Sequence, residues 1–323
     1  MAVVLFHFGS SAASKAGAPH LAVHLLQNGY LGVTFFFILS GFILTFSYFN
    51  RELGREGMRG FFVARIARIY PVYALGLLLV LPFQSPSSPL ALLATTTLTQ
   101  SWTPSTSDLP QEWNSPGWTL SIEAFFYLLF PIFLPLIKRL SRPMAIGLIG
   151  AILVLIGALD LSNAQPGWQP AGVWLTMTPL PILRLPEFLL GMLLGSLRME
   201  DSEANHGAIA LPIALIVTLV VFAISPYASR LAALLFAIII FSAASGSSHL
   251  HRMLGSSVLV YLGGASYAIY LLQDSMNGYF DLAFPGSLIA RLAMPLGLVA
   301  CACLVFTYFE EPARKLINSF RRK

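Results

Sequence analysis

At 323 residues, the chain is 56% hydrophobic and only 10% charged, where a soluble domain carries about 25% charged residues. That excludes a water-surrounded globule: the solvent facing most of the chain is hydrocarbon, and the reading is an integral membrane protein of many helices. The net charge of +5 is no nucleic-acid signal. The basic residues gather in short stretches between apolar runs, where orientation signals and contacts to anionic lipid headgroups lie.

The first residues, Met1 to Ser10, lack the basic leader of a signal peptide. They are expected to be the second half of a membrane helix whose first half is absent. Spans of about 20 apolar residues are predicted near 30–49, 66–83, 117–137, 143–160, 182–198, 208–224, 230–246, 257–275 and 286–308. With the stub at 1–9 this gives an all-α bundle of about ten helices, with the first one truncated. It forms a single membrane domain over 1–323 with no soluble domain attached and no internal repeat.

The threonine-rich run 89–101 is ambiguous by length, and charge parity decides it. Arg51, Arg55, Arg59, Arg65 and Arg68 mark one side as cytoplasmic. If 89–101 does not span, Lys138, Arg139, Arg142, Arg198, His251, Arg252 and the basic tail from Arg314 all fall on that side too. Residues 84–116 are therefore read as one outer-side segment. Both termini are cytoplasmic if the first helix is complete.

Several residues stand out against the apolar background. His7 is titratable within a lipid-facing stretch, and such groups are functional candidates by default. An imidazole can take a proton from an attacking hydroxyl and later return it; the alternative is a hydrogen-bonded core histidine. Arg65 and Arg68, three apart, share a helix face at the cytoplasmic edge. They could grip phosphate oxygens in bidentate fashion or simply snorkel to headgroups.

Ser115-Pro116 reads as a helix start, with Ser115 as N-cap and Pro116 at the first position. Glu123 then lies about 12 Å along the axis, on one face with Thr119 and Tyr127. A carboxylate at that depth needs a partner or a water-filled cavity. Arg184 and Glu187 are expected to pair with one another or with neighbours, or else to orient substrate. Asp274 closes one helix at the outer side, and Glu310-Glu311-Pro312 closes the last at the inner side. His20, His24, His206, His249 and His251 fall in predicted loops. Cys301 and Cys303 sit in an apolar run at a spacing that suits neither zinc nor a disulfide framework. No metal cluster is visible.

Taken together, Val4-Leu-Phe-His7, Gly32 to Phe42, Arg65-Ile-Ala-Arg-Ile-Tyr-Pro71, Trp118 to Glu123 with Phe126-Tyr127, Phe188-Leu-Leu-Gly191, Gly264 to Leu271 and Glu311-Pro312 resemble the acyltransferase 3 family. Their order and spacing carry the match over nearly the whole chain. The resemblance implies transfer of an acyl group, usually acetyl, from cytoplasmic acyl-CoA to a hydroxyl. The acceptor would be an envelope sugar, or sometimes a macrolide or lipid, and the setting a bacterial inner membrane. No permanently bound cofactor and no nucleic-acid partner are implied.

By the same resemblance His7 matches the essential histidine and Arg65 and Arg68 the paired arginines. Glu123 matches the acidic residue of the Ser-x-Glu element, with Ser121 as its serine. Acyl-CoA would dock with its phosphates on Arg65 and Arg68. Its thioester would meet His7, acting as base or transient acyl carrier, with Glu123 orienting the imidazole. Two departures stand out: the family's arginine about ten residues before the histidine is not present, and Gln273 stands where a histidine is usual. A polytopic transporter of a glycan or small molecule, with Arg, Glu and His as a proton path, is the reading from another class. A truncated inactive homologue is the third.

Overall fold

A computed structural model describes residues 3–4, 6, 17–102, 109–162, 180–200, 207–225, 228–246 and 249–320; the side chains at 160–162, 230, 249, 288–289 and 291–292 are not described. Every regular element among the described residues is helical. In chain order these are α1 (His20–Gln27), α2 (Gly32–Tyr48), α3 (Arg55–Val80), α4 (Pro89–Thr96), α5 (Gly117–Ile137), α6 (Arg142–Ser162) and α7 (Pro181–Glu200). After them come α8 (Gly207–Ile224), α9 (Ser229–Ala244), α10 (His249–Leu254), α11 (Ser257–Leu271), α12 (Gln273–Ala283), α13 (Leu288–Val305), a π-helical turn (Phe306–Glu310) and α14 (Glu311–Ser319).

Six described helical stretches are long and apolar enough to cross a bilayer: His20–Tyr48, Arg55–Val80, Gly117–Ile137, Arg142–Leu159, Gly207–Ile224 and Ala293–Ser319. The expected count of about ten is not confirmed among the described residues. Leu231–Ala244 and Ser257–Leu271 are apolar but shorter. α7 has the length but carries Arg184, Glu187, Arg198 and Glu200.

The run 89–101 holds an eight-residue helix, about 12 Å long, far short of the ~30 Å hydrocarbon core. Side-chain contacts agree with the parity argument. Lys138 Nζ donates to the Arg51 carbonyl at 3.3 Å, so the end of α5 lies beside the turn after α2. Arg198 Nε donates to the Ala244 carbonyl at 2.9 Å, gathering the ends of α7 and α9. The arginine-rich ends thus share one side.

Three expectations are corrected. Ser115 is not the N-cap of α5: the helix starts at Gly117 after Pro116, and the Ser115 N–H is taken by Asp274 Oδ2 at 3.2 Å instead. Trp113, at φ 67°, bends the chain into this start. The last helix does not close at Glu310-Glu311-Pro312. It loosens into the π turn and continues as α14, because Pro312 occupies the first turn, where a missing N–H costs nothing. His20, His24, His249 and His251 lie in helices, not loops, and His206 lies outside the described residues. His24 Nδ1 meets the Ala223 carbonyl at 3.1 Å and His251 Nε2 the Ser242 carbonyl at 3.0 Å, so local polarity there marks a helix tied to a carbonyl near the end of a neighbouring helix.

The most extensive helix pair is α2 with α7. Its cause is glycine at the crossing. A Cβ on Gly41 would strike the Phe188 carbonyl, and one on Gly191 the Ile38 carbonyl. Lipid tails are as apolar as leucine, so burying leucine gives little drive for helices to associate; small residues that let backbones approach do. The core beside this crossing is aromatic: Phe126 stacks on Phe188 at 4.7 Å, and Phe37 meets Phe126 edge-on at 5.3 Å. α2 is thereby fixed against α5 and α7 together.

Candidate active site

Between α2, α3, α5 and α11 lies a cavity of about 520 Å³, within the usual size of a small-molecule site. It runs along α2 from Gly32 to Leu44, about 18 Å at 1.5 Å per residue. At the arginine-rich end Arg65, Arg68 and Ile69 enter from α3. Thr119, Leu120, Glu123 and Tyr127 enter from α5, and Ser266, Tyr267 and Tyr270 from α11. The i, i+4 stripe of α5 is thus turned wholly into the cavity.

Glu123 is buried, and its Oε1 accepts from Ser40 Oγ at 3.2 Å and from the Tyr127 hydroxyl. The Arg65 guanidinium lies 5.6 Å from the centre of the Tyr127 ring and 5.8 Å from that of Phe61. Its Nε is buried and has no hydrogen-bond partner among the described residues. Arg68 sits 5.4 Å over the Tyr267 ring, and its Nη1 contacts Glu310 Oε1 at 2.6 Å. At the other end Thr119 Oγ1 lies 3.2 Å from the Tyr270 hydroxyl. The cavity therefore carries fixed positive charge at the arginine-rich end, a hydrogen-bonded carboxylic group at mid-depth and hydroxyls at the outer end.

Beyond that outer end burial pushes the Asp274 carboxyl above its ordinary value, while the Ser115 N–H pulls partly the other way.

Not every candidate converges there. His7 lies outside the described residues; Val3, four positions earlier, lines the cavity. Arg184 and Glu187 do pair, at 3.0 Å, but neither lines the cavity. They form a separate buried cluster in which Thr34 Oγ1 donates to Glu187 Oε1 at 3.0 Å and Arg184 Nη2 reaches Thr34 Oγ1 at 3.2 Å.

Ser121 also points away from the cavity. Its Oγ accepts the Ser101 N–H at 3.1 Å and its carbonyl the Trp102 indole N–H at 2.9 Å, fastening the outer segment to α5. Conversely Ser40, Tyr267 and Tyr270 line the cavity and Glu310 holds Arg68 at its edge, although the sequence singles out only Glu310 among them, and that as part of a helix end. Ser40 was detectable as a lone hydroxyl in an aromatic run. Tyr267 and Tyr270, three apart, were detectable as one helix face.

An all-helical multi-pass bundle holding a charge-lined cavity defines a membrane protein with an enzyme-like interior site. The chain belongs to the acyltransferase 3 family: the family's profile, described as an acyltransferase domain, matches residues 1–309. It is also similar to Acyltransferase MdmB of Streptomyces mycarofaciens, 28% identical over an alignment of 335 residues that covers 93% of this chain and 84% of the relative. No solved structure matches it. The protein is a membrane O-acyltransferase.

Proposed function

We propose that the protein moves an acyl group, acetyl in the first instance, from cytoplasmic acyl-CoA to a hydroxyl of an envelope carbohydrate or related acceptor, in a bacterial cell membrane. The observation that carries this reading is the cavity joining Arg65 and Arg68 at the arginine-rich end to Glu123 at mid-depth. Guanidiniums suit the donor's phosphates. The apolar stretch beyond them, lined by Phe35, Phe36 and Leu39, suits a pantetheine arm.

His7 is the proposed base, and Glu123 the group that orients the imidazole and stabilises its protonated form. The acceptor oxygen attacks the thioester carbonyl as His7 takes its proton. The C–S bond then breaks, and the imidazolium returns the proton to the leaving thiolate, giving ester and free coenzyme A. Arg184, Glu187 and Ser121 act as supports in this scheme: the first two brace α7 against Thr34 of α2 beside the glycine crossing, and Ser121 holds the outer segment.

Transfer from radiolabelled acetyl-CoA into envelope fractions tests the reading, using purified protein in lipid nanodiscs. His7→Ala and Glu123→Gln should each lower turnover by about 10²-fold or more, with the unfolding midpoint little changed. Label transfer that survives both substitutions would refute the site, and no transfer by the unaltered protein from any acyl-CoA would refute the donor.

A further inference from the structure

Arg68 faces the cavity, yet its charge is already met. Glu310, 242 residues away in sequence, holds its Nη1 at 2.6 Å. The two ends of this pair differ in environment: the Arg68 side chain is 31% exposed and that of Glu310 is 0% exposed. Arg68 is fixed from a second side by the Tyr267 ring, whose hydroxyl is itself tied to the Ile69 carbonyl at 2.8 Å.

The backbone that delivers Glu310 is specialised. Phe306–Glu310 is a π turn, a local widening that shifts the register of the helix beyond it and recurs at functional sites. It is supported by Tyr261, whose hydroxyl donates to the Cys303 carbonyl at 3.0 Å and meets Thr307 Oγ1 at 2.6 Å. Room for the turn comes from Gly264, where a Cβ would come within 2.6 Å of the Phe306 ring.

We propose that Glu310 is a positioning residue for the acyl donor: it holds the Arg68 guanidinium at the arginine-rich end of the cavity so that the remaining N–H edge meets a phosphate oxygen of the donor. This inference rests on acyl-CoA being that donor. A guanidinium has five N–H donors in a rigid fork, so Nη1 can stay with Glu310 while others bind phosphate. It must stay, because a fully buried carboxylate left by its partner is an uncompensated charge. Freed of Glu310, Arg68 would regain the rotamers of a long flexible stem, and donor binding would have to order it again.

Calorimetric binding of coenzyme A to the protein in nanodiscs tests this independently of turnover. Glu310→Ala should weaken binding about tenfold and raise the KM for acyl-CoA with kcat little changed, the pattern of lost uniform binding. Glu310→Gln retains an acceptor oxygen and should restore most of the affinity. In an Arg68→Ala background, Glu310→Ala should add nothing, since the two residues act through one contact. Where the alanine variant does not fold, Glu310→Asp, which draws the carboxylate back, carries the same test and should weaken binding in the Arg68 background only.

Binding by Glu310→Ala equal to that of the unaltered protein would overturn the proposal while leaving the donor reading intact. So would an equal loss with and without Arg68, the mark of a merely structural role. Failure of the unaltered protein to bind coenzyme A would overturn both.

Discussion

Replacing Gly191 by alanine adds one methyl group at the crossing that carries the site. A Cβ there would collide with the Ile38 carbonyl oxygen and stand 2.8 Å from the Ile38 carbonyl carbon and 2.9 Å from the Phe42 nitrogen. Carbon contacts prefer about 3.5–4.0 Å. All three obstacles are backbone, so no rotamer change relieves them and α2 must move away from α7 by roughly 1 Å. Two bonds depend on that placement: the partly buried one from Ser40 to Glu123 at 3.2 Å, and the buried one from Thr34 to Glu187 at 3.0 Å.

Overpacking costs about 1–3 kcal/mol, and each weakened bond adds about 0.5–1.5 kcal/mol. Against this stands about 1 kcal/mol of helix propensity gained on going from glycine to alanine. Gly147 on α6 is the control, since a Cβ there meets nothing within 4 Å and only the propensity gain applies. Reversible unfolding in one detergent should place Gly191→Ala about 2–6 kcal/mol below Gly147→Ala, the propensity gain being common to both, with acyl transfer reduced in the former alone. Two variants of equal stability would refute the claim that this crossing is set by glycine.

Two further predictions concern buried charge. Arg184→Met removes the ion-pair partner of the buried Glu187, leaving the Thr34 hydroxyl to donate to it. It should cost about 3–5 kcal/mol, whereas Arg184→Met with Glu187→Met should recover most of that loss. An unchanged KM for the donor in the double variant would fit a supporting role, and a large rise would make the pair part of the substrate site. Asp274, raised by burial, holds its proton more tightly folded than unfolded. Its contribution to stability is therefore greatest below the ordinary Asp value of 3.8 and declines as pH rises through the raised one. Asp274→Asn keeps an oxygen for the Ser115 N–H, so its unfolding midpoint relative to the unaltered protein should climb from pH 4 to pH 7; a flat difference would refute the shift.

The glycines and serine of the stretch Gly32 to Phe42 show how far a motif can be read. Its apolar run announces a membrane helix. Its Gly41 and Ser40 acquire meaning only from what lies opposite: the Phe188 carbonyl for the glycine and Glu123 for the serine. Ser121 teaches the converse. It lies two residues from Glu123, yet a helix turns about 100° per residue, so neighbours in a motif face different partners and Ser121 binds the outer segment.

Hydropathy alone identified a bundle of membrane helices. Basic residues alone identified their common side. The 3.6-residue period alone put Thr119, Glu123 and Tyr127 on one face, because these signals are local to a helix or its ends. Which helices touch was decided only by the tertiary structure. Glu310 reaches Arg68 across 242 residues, Ser40 reaches Glu123 across 83, and Arg184 with Glu187 meets Thr34 rather than the cavity. In a lipid solvent every apolar helix face is equally at ease against tails or against another helix. Pairing is therefore set by the few glycines and polar groups that fit one partner, and that fit is not written in hydropathy.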